Sequence, residues 1–153
     1  MAGITIAFET TSVEPERTAM EIEQELAKHH ARTIVKDYDG RGRPCALSFE
    51  MEALGGLIPF KLPINVDAVY QILIAKKSHY YVDQDVKARV YAQAERTAWR
   101  IVKDWVHAQL ALIQTQMVTV VEVFMPYMLM GDRTAYEVLR DGGMPALMEP
   151  KGD

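Results

Sequence analysis

Four carboxylates, Asp37, Asp39, Glu50 and Glu52, lie close to the segment "DYDGRGRP". Carboxylates gathered on a sheet are how many nucleases hold Mg²⁺, so this is the first chemistry to weigh. Asp37 and Asp39 flank a Gly-rich turn, where Asp is favoured for its own backbone hydrogen bonds. No Glu-x-Lys pattern follows, and the turn role is the expected one. His29, His30 and Cys45 make a poor zinc set, because adjacent histidines on a helix point apart and a fourth ligand is missing. Cys45 follows Pro44 in a predicted strand and reads as a small core residue. There is no Gly-x-Ser-x-Gly elbow, and "GRGRP" lacks the Gly-Lys-Ser/Thr ending of a phosphate-binding loop. The expectation is a non-enzyme, with no catalytic residue, metal or cofactor.

Cationic chemistry is better represented. In "AERTAWRIVKDWVHAQL", residues 94–110, two tryptophans stand among arginines, a lysine and a histidine. On a 3.6-residue period Ala98, Ile101, Trp105, Ala108 and Leu112 form one apolar line, with Trp99, Val102, Val106, Leu110 and Ile113 beside it. The remaining Arg89, Gln93, Arg96, Arg100, Lys103 and His107 form one narrow stripe. Residues 61–104 hold eight Lys and Arg against five Asp and Glu, a local +3 in a chain of net charge −4. Arg89, Arg96, Arg100 and Lys103, with Lys76 and Lys77, are therefore candidates for contacting DNA phosphates. Tyr80 and Tyr81 are candidates for stacking on single-stranded bases, and Arg41 and Arg43 on the hairpin tip for assisting. The competing reading is a core helix whose cations simply reach water along one edge. A second candidate surface is apolar: Phe124, Met125, Tyr127, Met128 and Met130 could join a copy of the chain or a protein partner. Steep salt dependence would mark the first function, and a salt-insensitive oligomer without nucleic-acid affinity the second.

These residues need elements to hold them. Ile4, Ile6 and Phe8 alternate with polar or small neighbours, which predicts a strand. Pro15 opens a helix whose buried stripe is Ala19, Ile22 and Leu26. "ARTIVKDY" and "PCALSFEM" predict an antiparallel hairpin, and "LIPFKLP", with Pro59 and Pro63, an edge strand. Asn65 can cap a helix over "VDAVYQILIAKK", and a long helix is predicted from Val86 to Gln116. Thr119 with Glu122, and Thr134 with Glu137, are capping boxes that open short helices, the first kinked or ended by Pro126. The predicted class is α+β: a small antiparallel sheet in the order βαβββ, then a helical half around one long helix. A single domain over residues 1–153 is expected, sheet-rich to residue 64, helical over 65–141 and flexible over 142–153.

Composition bounds the rest. At 153 residues, 49% hydrophobic and 25% charged, the chain can bury a core without disulfides, and with one cysteine it can form none internally. No signal-peptide pattern or membrane-length apolar run is present, so a cytoplasmic protein with no membrane partner is expected.

"AERTAWRIVKDWVHAQLALI", "MVTVVEVFMPYML" and "TAYEVL", together with "FETTSVEPERTA" and "LPINVDAVY", resemble a group of small phage and prophage proteins with a Trp-Arg-Ile-x-Lys-Asp-Trp helix. The resemblance covers most of the chain. It implies a place in phage DNA replication or recombination, in the cytoplasm of a bacterial host and beside phage or host replication and recombination proteins. No activity is established for that group, and the resemblance implies no catalytic residue. The expected function is a non-enzymatic accessory protein binding DNA, and the alternative an oligomeric assembly or adaptor protein.

Overall fold

The computed structural model describes residues 4–77 and 81–142; Tyr80 and residues 143–153 of the predicted flexible tail lie outside these, while its first residue, Gly142, ends the last helix. Helix α1 (Pro15–Lys28) leads into a meander of β1 (Thr33–Tyr38), β2 (Pro44–Ala53) and β3 (Gly56–Lys61). Helices α2 (Val66–Ala75) and α3 (Gln84–Gln114) follow, then α4 (Val120–Phe124), a 3₁₀ turn at Met125–Tyr127, a two-residue hairpin of β4 (Leu129–Met130) and β5 (Arg133–Thr134), and α5 (Ala135–Gly142). The fold is α+β, with an antiparallel sheet ahead of a helical half built on one long helix, as the periodicities predict.

The local signals act where they stand. The Asn65 side chain accepts from the Ala68 amide at 3.1 Å and starts α2. Asp83 accepts from the Val86 amide at 2.9 Å and starts α3 two residues before the predicted Val86. Thr119 and Glu122 exchange hydrogen bonds across the first turn of α4, as do Thr134 and Glu137 at α5. Pro126 falls in the 3₁₀ turn that ends α4. The β2–β3 turn is Leu54–Gly55, both at positive φ, the geometry whose twist matches a two-residue hairpin.

One predicted strand is absent. Residues 4–6 are irregular and 7–10 form a turn, so the order is αβββ rather than βαβββ. The carbonyls a strand partner would have bound are taken by α3 instead. Gln93 Nε2 donates to the carbonyls of Glu9 and Thr11 at 2.9 and 3.0 Å, and Thr97 Oγ1 to that of Phe8 at 2.9 Å. Phe8 itself has a φ of 58°, outside strand geometry.

The helices cover one face of the sheet. Leu47, Phe49, Met51 and Phe60 meet Ala19, Ile22 and Leu26 of α1 and Trp99, Val102, Val106 and Leu110 of α3. Phe49, Phe60 and Phe124 pack with centroids 5.3–5.7 Å apart and close this core. A smaller cluster, Leu73, Val90 and Ala94 with Ile6 against it, joins α2 to the N-terminal half of α3. α3 therefore serves both clusters, which accounts for its wide apolar arc.

Candidate functional site

The cationic stripe of α3 meets α1, and α1 carries its complement. Glu14, Glu21 and Glu25 lie on one face of the α1 segment. Arg96 Nη1 is 3.3 Å from Glu14, Arg100 Nη1 2.7 Å and Lys103 Nζ 3.8 Å from Glu21, and His107 reaches Glu25. Burial works against the ionised form of Glu21, but the Arg100 guanidinium, with Arg17 and Lys103, outweighs it and holds the carboxyl below its ordinary pKa. The side chains of Arg96, Arg100 and Lys103 retain only 21–26% of their exposure. From Arg96 to Lys103 the stripe is thus an interhelical seam and not an open cationic face, while His107 at its end keeps a 69% exposed side chain.

The hairpin arginines are also engaged. Glu95 is buried on α3, its Oε2 accepting from Arg41 Nη2 and Arg43 Nε, both at 3.2 Å. Its Oε1 lies 3.1 Å from Arg43 Nε without the alignment of a hydrogen bond. Arg43 also reaches Glu14 at 3.5 Å. Asp39 binds the amides of Arg43 and Arg41 and the Arg41 guanidinium, which together lower its pKa. Arg41 lies over the Tyr91 ring at 5.3 Å and remains 56% exposed.

The other four described candidates converge elsewhere. Lys76, Lys77, Tyr81 and Arg89 line an open cleft of about 700 Å³ between the end of α2, the start of α3 and the N-terminal segment. Leu73, Val86 and Val90 supply its apolar wall, and Glu9, Thr10 and Gln93 complete the lining. Lys76 is paired with Glu9, whereas Lys77 and Arg89 make no ion pair with another described residue. Tyr81 is 87% exposed. Gln93, which fixes the Glu9 backbone, was visible in the sequence only as a gap in the charge stripe. Glu9 stands in the sequence only as one of the positions that alternate with Ile4, Ile6 and Phe8.

The apolar candidate surface is divided between the core and the exterior. Phe124 is fully buried, Trp105 packs edge-on to it and to Tyr127, and Met128 lies against the same core. Phe124 therefore cannot meet a partner; Met125 and Met130, each 52% exposed, still can. The carboxylates do not gather either. Asp37 pairs with Ala46 in the register while Glu50 pairs with Thr33, at the other end of β1. Among the described residues no group of three or more His, Cys, Asp or Glu side chains is placed to hold a metal ion. Cys45 is exposed rather than in the core.

No protein-family model matches the chain, and no curated protein or solved structure matches it. Among the described residues no helix is long and apolar enough to cross a membrane.

Proposed function

We propose that this chain is a non-enzymatic accessory protein of the phage or prophage type that binds single-stranded DNA in the cleft between α2 and α3, in replication or recombination in a bacterial cytoplasm. The observation that carries the reading is the convergence of Lys76, Lys77, Arg89 and Tyr81 on one open concavity with an apolar wall. Cations there would neutralise backbone phosphates, and an exposed tyrosine ring offers a base a sequence-tolerant stacking surface. Arg96, Arg100, Lys103 and Arg43 are assigned a structural role, because α1 and Glu95 already hold them.

Fluorescence anisotropy with labelled single-stranded and duplex oligonucleotides, at low and near-physiological salt, tests this. Salt-dependent binding that prefers the single strand and is lost in Lys77→Glu/Arg89→Glu supports the cleft. Unchanged binding in that folded variant would remove the site from the cleft.

The alternative is an assembly or adaptor protein without nucleic-acid affinity. It is favoured by the exposure of Met125 and Met130 at 52% each, with Tyr136 at 53% and Met117 at 70%. A salt-insensitive oligomer broken by Met125→Lys/Met130→Lys, together with no DNA binding, would select it.

A further inference from the structure

One edge of the sheet, which no other described strand covers, has a chemistry of its own. β1 is the terminal strand of the order β1-β2-β3. Leu62 N donates to Leu47 O at 3.0 Å, so the backbone of Leu47 and its alternate neighbours Phe49 and Met51 faces β3. Glu50 O, in the alternate set, accepts from Arg32 N at 2.8 Å on the β1 side. Thr33, Val35 and Asp37, which pair with Glu50, Ser48 and Ala46, therefore spend their backbone groups on β2. Ile34 and Lys36 are left with N–H and C=O groups aimed outward from the edge.

The usual edge protections are weak here. β1 contains no proline, and its one cation, Lys36, is drawn back over the sheet to Glu23 of α1 at 2.9 Å. The irregular register between Asp37 and Tyr38 lies at the strand's end. Val35 and Tyr38 are 49% and 55% exposed.

We infer that β1 pairs with β1 of a second copy, antiparallel about a twofold axis through Val35, to make one continuous sheet. Two requirements constrain that register. A twofold axis normal to the sheet keeps the helix-bearing faces on one side, so each residue must oppose one of its own face. Ile34 and Lys36, the residues with outward backbone groups, must oppose each other or their own counterparts to exchange both hydrogen bonds. Centring on Val35 meets both conditions, sets Val35 against Val35 in a non-hydrogen-bonded pair, and sets Thr33 against Asp37, a hydroxyl beside a carboxylate. Centring on Lys36 would instead oppose two ammonium groups, and centring on Ile34 would pair only residues 33–35 of each strand, against 33–37 for Val35. The flank of α1 beside this edge is compatible: Glu23 marks the side turned away from α3, and Met20, 46% exposed, and the exposed Ala27 lie near it.

Val35→Cys and Thr33→Cys, each in a Cys45→Ser background of the full chain, test the register, because side chains are closest in non-hydrogen-bonded pairs. Light scattering after size exclusion should give the mass of two chains for the parent. Mild oxidation should link Val35→Cys chains covalently and leave Thr33→Cys unlinked, since Thr33 faces Asp37. Val35→Lys should fall to the mass of one chain with an unchanged circular dichroism spectrum. A monomeric parent at high micromolar concentration, equal linking at both positions, or a Val35→Lys chain that keeps the mass of two would each overturn the inference.

Discussion

Glu95 is the side chain whose surroundings are most constrained. It is 3% exposed, and the nearest cations to balance it are on a hairpin tip more than fifty residues earlier, with Arg41 and Arg43 reaching the same Oε2. A buried carboxylate that loses a charged partner keeps its desolvation cost, so Arg43→Met should destabilise by about 2–3 kcal/mol in chemical denaturation. Glu95→Met in that background should recover much of the loss, since an apolar side chain there needs no partner. If the two changes add without recovery, Glu95 and Arg43 are not coupled. The tryptophans differ in the same way. Trp99 is fully buried in the core while Trp105 is only partly buried at its margin, so Trp99→Ala should cost about 3–5 kcal/mol and Trp105→Ala clearly less. Their equal weight in the helical period conceals this difference. Depth depends on where α1 and the sheet lie around α3, which no spacing within the helix records.

At the scale of elements, the seam between α1 and α3 explains both what the sequence discloses and what it hides. The caps at Asn65, Thr119 and Thr134 were legible because a cap is a contact between residues three apart. The stripe was legible too, as a period. Its meaning was not, because Arg96 finds Glu14 across 82 residues of chain, and Arg100 finds Glu21 across 79. In retrospect Glu14, Glu21 and Glu25 on one face of α1 were the available signal, a charge pattern complementary to Arg96, Arg100, Lys103 and His107. The misread first strand has a similar origin: alternation at Ile4, Ile6 and Phe8 records which side is apolar, not which partner takes the backbone. The seam also has a pH signature. Glu21, whose pKa is lowered in the fold by Arg100, Arg17 and Lys103 against the opposing effect of burial, binds its proton more readily when unfolded. Its contribution is therefore present above the ordinary Glu pKa of 4.5 and is lost as pH falls through the lower folded value. Thermal unfolding followed from pH 7 downward should show stability falling below about pH 5, and Glu21→Gln should be less stable at pH 7 with a shallower acid limb. An unaltered acid limb in Glu21→Gln would mean the seam carries no net stabilisation.

For the molecule as a whole, the pairing rearranges the meaning of its charge. The surplus of cations over residues 61–104 is a local +3, but Arg96, Arg100 and Lys103 are spent on α1, which is acidic. Of the other cations in that stretch, Lys61 and Lys87 are exposed outside the α2–α3 cleft, while Lys76, Lys77 and Arg89 gather in it, on a protein of net charge −4. A local cationic site on an acidic protein gains little from long-range attraction, so proposed DNA binding should be weak at physiological salt and sensitive to every cleft cation. This has a quantitative form. Each phosphate contact on a single strand contributes about 0.7 to the slope of log affinity against log salt. Lys77→Gln/Arg89→Gln should then lower that slope by about 1.4, while Tyr81→Ala should weaken binding by about 1–3 kcal/mol at every salt concentration and leave the slope alone. Arg100→Gln should leave the slope intact, because Arg100 already has Glu21 as its counterion. A slope that falls with Arg100→Gln but not with the cleft pair would put the DNA on the seam, which would require α1 to leave α3. Hydrogen exchange in α1 would then rise on adding oligonucleotide, whereas binding in the cleft leaves α1 as protected as before.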